Sequence, residues 1–143
     1  MIRGPVPWRE VEHTADAGFA VEAAGIGALF ETAAAALFGM MADLSRVGMD
    51  PEPVAVRAAG PDLAALLVAW LSELLSVAMS RDMVFCAFEV QSLDSGRVSG
   101  RAWGEALDVE RHAFRTEIKA VTHHGLVLEP RGDGWRARVI VDL

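Results

Sequence analysis

The residues best suited to chemistry lie far apart in this sequence. Asp142 closes the apolar run WRARVIVDL, and Asp16 sits in the stretch EHTAD. A period-two reading of WRARVIVDL places Trp135, Ala137, Val139, Val141 and Leu143 on one face, and Arg136, Arg138, Ile140 and Asp142 on the other. The apolar face anchors the strand, so the Asp142 carboxylate points away from the core. Its local neighbours are the Leu143 carbonyl and terminal carboxylate. Anionic oxygens gathered in this way suit a hard divalent cation such as Ca²⁺, Mg²⁺ or Mn²⁺. Two adjacent residues cannot fill the coordination shell of such an ion, so a second carboxylate must come from another element, with water completing the shell. Asp16, on the polar face of its own segment, is the best candidate. Two plainer readings stay open at this point. Both acids could be solvated surface charges, or Arg136 and Arg138 could neutralise Asp142 across their shared face.

Other candidates are weaker. His13, His112, His123 and His124 match no zinc spacing, and Cys86 supplies a single sulfur. His13 falls on the apolar face of its segment and reads as a core histidine, or as one that backs a ligand, rather than as a ligand. His123 and His124 are adjacent and would point to opposite faces of a regular strand. Gly25 and Gly27 precede a helix but lack the third glycine and the Lys-Ser/Thr of a phosphate loop, so they read as a helix entry. DVERH (108–112) reads as a charged, solvated turn. Two carboxylates holding one ion could activate water, which keeps a metal-dependent hydrolase as the rival enzyme class. Against it, no general base or basic substrate pocket is evident beyond Lys119.

The elements that must position these residues follow from patterning. The sequence has 143 residues, 52% of them apolar, which fits one folded domain over 1–143. The net charge of −7 argues against holding a phosphate backbone by bulk electrostatics, so nucleic acid would be met through a protein partner or a metal. The lone Cys86 in MVFCAFEV reads as a core residue, compatible with a reducing cytosol. The start MIRGPVPWREVEH has no apolar signal core, and LAALLVAWLSELL, interrupted by Ser72 and Glu73, is short for a bilayer. A cytoplasmic protein without membrane contact is expected.

Apolar residues at three- and four-residue steps predict a helix in IGALFETAAAALFGMMADL, and a second after Gly60, with Pro61 as its first residue and Asp62 near its positive end. The remainder alternates. EVEHTADAGFAVEA reads as one strand with Val11, His13, Ala15, Ala17, Phe19 and Val21 on one face. VAVRAA is a short strand. Two hairpins are expected around DSG and PRGDG, the second joining TEIKAVTHHGLVLE to WRARVIVDL. The expected fold is a single α+β domain, with two amphipathic helices packed on a mostly antiparallel or mixed sheet.

Six stretches in order, EHTAD, ALFGMMADL, LLVAWLSELL, GEALDVERH, EIKAVTHH and WRARVIVDL, span nearly the whole sequence and resemble the archease family. The resemblance implies a non-catalytic partner of an RtcB-type RNA ligase, which joins RNA ends using GTP and a divalent metal. The family is understood to promote guanylylation of the ligase histidine and repeated turnover, in tRNA splicing or RNA repair. RNA would be met only through the ligase. An earlier idea casts the family as a chaperone-like modulator of a tRNA-modifying enzyme. Carried over residue by residue, the metal ligands are Asp16, Asp142 and the main chain of Leu143. Lys119 matches a lysine needed for activity, and Glu117 shares its face in an extended strand. Arg111 and His112 recur in the family and, with His13, are expected to serve activity or the partner surface. The sequence departs from the family at Ala17, often a bulky aliphatic, near His123, often beside an aromatic, and at Leu143, usually isoleucine. None of these removes a proposed ligand side chain.

Overall fold

A computed structural model describes residues 1–12 and 17–143 and contains two four-stranded sheets that clasp two helices. The strands are β1 (Ile2–Arg3), β2 (Arg9–Glu12), β3 (Ala17–Ala23), β4 (Val54–Ala59), β5 (Met83–Leu93), β6 (Arg97–Ala106), β7 (Ala120–Arg131) and β8 (Gly134–Asp142). The helices are α1 (Ile26–Met41) and α2 (Leu63–Arg81). All pairings are antiparallel, in the orders β1-β5-β6-β4 and β2-β3-β8-β7. The α+β fold with two core helices is therefore as expected, but its strands divide between two sheets.

That division explains the burial of α1. It packs on β5 of one sheet and β3 of the other, so every residue from Leu29 to Met41 is buried, including the side opposite the expected stripe. A helix enclosed on all sides needs apolar residues all round. Its one acid, Glu31, accepts the backbone N–H of Val90 at 2.8 Å. The second helix packs on β4 and β7. It begins two residues later than expected, at Leu63 instead of Pro61, because Asp62 is the cap rather than a helical residue: its Oδ1 accepts the Ala65 N–H at 2.8 Å. It also runs on to Arg81, giving 19 residues, long and apolar enough by length and composition to cross a bilayer. Here its apolar face is inside the fold, with Leu66, Leu67, Trp70, Leu71 and Leu74 fully buried. Trp70 Nε1–H donates to the Phe30 carbonyl at 3.1 Å and ties the helices together.

The expected single strand over 10–23 is instead the antiparallel pair β2 and β3, with Glu12 opposite Ala17. Fourteen extended residues would span roughly 46 Å, far longer than the nine-residue β8 beside them. The reversal also changes the faces: Val11 pairs with Gly18, not in line with Phe19. His13 and Asp16 lie outside the described residues. Both expected hairpins form. Asp94 Oδ1 accepts the N–H groups of Gly96 and Arg97, each at 2.8 Å, and Gly132 turns β7 into β8 at φ 59°. Cys86 is fully buried, which pushes its thiol pKa up and marks it as a core residue.

Gly104 of β6 lies tight against β5, where an added Cβ would collide with the Val84 carbonyl and lie 2.8 Å from Phe85 Cα. Gly27 in α1 has open space around it. Gly104→Ala should lower unfolding free energy by about 1–3 kcal/mol or more, whereas Gly27→Ala should raise it by about 0.4–1 kcal/mol. Urea denaturation of the two variants checks this, and a neutral Gly104→Ala would contradict the close approach.

Candidate cation site and its supports

Strand β8 lies inside its sheet. On one edge it pairs with β3, from Ala17 opposite Val141 to Ala23 opposite Trp135. On the other it pairs with β7, with Ala120 opposite Asp142. The predicted alternation holds: Ala137, Val139 and Val141 are buried, while Asp142 is exposed. Ile140, on the Asp142 face, is nevertheless fully buried. The register shift between Thr122 and Val127 brings Gly125 over its side chain. His123 and His124 lie in that shift, both exposed, and form no metal cluster among the described residues.

The Asp142 main-chain carbonyl accepts the Lys119 N–H at 2.8 Å. Its carboxylate, among the described residues, is in no ion pair and no hydrogen bond, so it remains available as an oxygen donor beside the exposed Leu143. Arg136 pairs with Glu129 at 3.1 Å rather than with Asp142. Among the described residues no three His, Cys, Asp or Glu side chains converge to hold an ion. Asp142 and Leu143 supply the kind of oxygen a hard cation takes, but they need a further carboxylate to complete a site. Asp16, which would supply it, is outside the described residues, and only its chain neighbour Ala17 is placed, opposite Val141.

Lys119 reaches Asp142 through a segment built on Glu105. One oxygen of that carboxylate, Oε1, accepts the Gly48 N–H at 2.9 Å, an Arg111 guanidinium N–H at 2.8 Å and His112 Nε2 at 2.7 Å. The Asp108 N–H donates to His112 Nδ1 at 3.0 Å, so Nδ1 carries the lone pair and the Nε2 proton points at Glu105. His112 is fully buried. DVERH is thus a turn with Asp108, Val109, Glu110 and Arg111 exposed, as expected, while His112 alone departs from that reading and turns inward. Arg111, exposed, is held by the same carboxylate. From this node the chain latches onto the C-terminal end of α1. The His112 carbonyl accepts the Asp43 N–H at 2.9 Å, and the Arg115 N–H donates to Met41 O at 2.7 Å. The Arg115 guanidinium caps the carbonyls of Gly39 and Ala42. Beyond the latch Ile118 is buried while Glu117 and Lys119 on either side are exposed. Those two share an outward side as expected, although β7 itself begins only at Ala120.

Two concavities flank this segment. An apolar pocket of about 270 Å³ is lined by Met41, Met79, Met83, Leu107, Phe114 and Ile118, with Asp82 and Glu117 also at its wall. A groove beside it runs between Met79 and Lys119. Glu105 and these pocket residues, apart from Glu117, were not singled out as functional by the sequence reading. Glu105 lies within GEALDVERH, where its place between a strand and a charged turn was the available signal. The pocket joins residues from distant segments and left no local signal.

The three donors hold the Glu105 carboxyl below the ordinary carboxylate range, the Gly48 N–H most strongly, then His112 and Arg111. A lowered folded-state value means the stabilisation is complete above the unfolded value of about 4.3 and is lost as the pH falls through the folded one. Glu105→Gln should therefore cost about 1–3 kcal/mol at neutral pH, with the difference from the parent protein shrinking as the pH drops below about 4. Thermal denaturation across pH 3–7 reads this out. A constant difference would remove the charge from the explanation.

A sequence model of the Archease protein family matches residues 8–143. Protein archease of Methanopyrus kandleri is 43% identical over 141 residues, covering 96% of this chain and 100% of its own length. That of Pyrococcus abyssi is 35% identical over 140 residues, covering 95% and 98%. The solution structure of Protein 1598 of Methanobacterium thermoautotrophicum matches with a TM-score of 0.81 at 36% identity, over 95% of this chain and 98% of that one. The crystal structure of a Thermotoga maritima protein described as an archease, possible chaperone, shares the fold, with a TM-score of 0.60 at 21% identity over 100% and 98% of the two chains. With a family match over nearly its full length and relatives of this similarity, the chain belongs to the archease family.

Proposed function

We propose that this chain is a cytoplasmic protein cofactor of an RtcB-type RNA ligase, promoting GTP-dependent guanylylation of the ligase and its repeated turnover in tRNA splicing or RNA repair. It acts on the ligase and does not itself catalyse the reaction. The observation that carries the reading is the register of β8. Ala17, the chain neighbour of Asp16, pairs with Val141, the chain neighbour of Asp142. The carboxylates of Asp16 and Asp142 and the main-chain oxygen of Leu143 would hold a divalent cation, Ca²⁺, Mg²⁺ or Mn²⁺. Such an ion offsets negative charge on phosphate oxygens. Lys119, fixed beside Asp142 by its backbone hydrogen bond, presents an ammonium group that can meet a ligase acid or a phosphate. The Glu105 node and the Arg115 latch keep that lysine in register with β8.

The apolar pocket favours a second reading, a chaperone-like modulator of a tRNA-modifying enzyme. Its methionines, Met41, Met79 and Met83, are adaptable contact residues, and Met79 is 50% exposed.

One assay separates the readings: covalent guanylylation of a purified RtcB-type ligase with GTP and Mn²⁺, with and without this protein. Asp16→Ala and Asp142→Ala should keep a native circular dichroism spectrum and lose stimulation by about tenfold or more. Full stimulation by both variants contradicts the cation reading. Full stimulation by them together with loss in Met79→Glu supports the pocket instead. Turnover of a phosphoester by the isolated protein with metal would return the hydrolase class.

A further inference from the structure

The net charge of −7 conceals a separation of charge. In an antiparallel sheet directly paired residues share a face. The register aligns Arg9 with Ala20, Ala20 with Arg138, and Arg138 with Val127 in one row across β2, β3, β8 and β7. The next row on that face is Glu22, Arg136 and Glu129. Arg131, two residues beyond Glu129 along β7, joins it and reaches Glu22 at 3.2 Å. Four arginines from three strands thus meet two glutamates on the outer face of this sheet. The inner face, with Phe19, Val21, Ala137 and Val139, is buried. A face turned away from the core is where charge can gather without desolvation.

Among the described residues Arg9 and Arg138 are in no ion pair, and the Arg138 Nε donor has no hydrogen-bond partner. Among the described residues the other two form one surface pair each, Arg131 with Glu22 and Arg136 with Glu129. Pairs of that kind contribute little and give way to a stronger anion. The face is also concave. Three arginines, Arg9, Arg131 and Arg136, and one acid, Glu22, line an open groove of about 480 Å³, and Trp8 forms part of its wall. Guanidinium groups bind phosphate oxygens in two-pronged fashion, and an indole offers a surface on which a base can stack.

We propose that this groove binds a single-stranded nucleic acid, with Arg9, Arg131 and Arg136 on successive phosphates and Trp8 against a base. Three guanidinium groups against one carboxylate leave the trough an excess of positive charge for a phosphodiester strand. The aromatic wall favours an unpaired strand over a duplex, whose bases are stacked away. The site is separate from the cation site. Arg136 and Asp142 are six residues apart along β8, on the order of 20 Å. Binding here requires neither the ion nor a ligase.

Fluorescence anisotropy with labelled 12-residue RNA and DNA strands, using the whole chain and no ligase, tests the proposal. At about 50 mM salt the strands should bind with Kd in the range of roughly 1–100 µM, and three phosphate contacts should give a slope of log K against log salt of about −2. The triple variant Arg9→Ala, Arg131→Ala, Arg136→Ala should weaken binding at least tenfold and flatten the slope. Arg57→Ala with Arg97→Ala, exposed arginines of the other sheet, should leave both unchanged. Duplexes of the same sequence should bind more weakly. No binding at low salt, equal binding by the triple variant, or equally tight capture of poly-glutamate would each overturn it. None of these results bears on ligase stimulation, so the two proposals fail separately.

Discussion

The pairing of β8 along both of its edges is the constraint on which the rest of this fold depends. An edge strand has one set of backbone partners and can slip or fray, whereas an inner strand with a buried face has its register fixed by two neighbours and by the core. Val139 and Val141 are completely buried on that core face. The alternate residue Asp142 is therefore forced outward at a defined height in the sheet. The same registers set Ala17 across from Val141 and Ala120 across from Asp142. Backbone hydrogen bonds thus bring together residues from the two ends of the sequence and from the segment before β7.

The second layer of organisation is the Glu105 carboxylate. It gathers a loop N–H, an arginine and a buried histidine, and so gives the segment between β6 and β7 a fixed path without regular secondary structure. The Arg115 latch continues that path over the end of α1, whose last carbonyls need donors. Lys119 owes its place beside Asp142 to both devices. The lysine is thus coupled to a carboxylate fourteen residues earlier that never touches it.

How much of this could be read beforehand depended on the range of the interactions. The two helices, the hairpins at Asp94 and Gly132 and the outward turn of Asp142 follow from local periodicity and turn chemistry, and all were legible. The split of 10–23 into β2 and β3 was not, because its alternation is compatible with one strand and only pairing partners decide where the chain reverses. Burial of α1 on all sides required knowing that a second sheet would cover it. His112 looked solvated because its neighbours are charged. Its burial comes from Glu105 and Asp108, seven and four residues away in the sequence, meeting its two ring nitrogens. Net charge likewise averaged over a molecule whose sheet register sets four of its arginines on one face.

The central claim is that the β8 register makes one cation site out of two acids that stand far apart in the sequence. Calorimetric titration of Mn²⁺ into the protein, Asp16→Asn and Asp142→Asn tests it most directly. The account predicts one site per chain in the parent protein, weakened at least about tenfold by either substitution alone, since both carboxylates serve the same ion. Unchanged Mn²⁺ binding in either variant, or no saturable site in the parent protein, would contradict it.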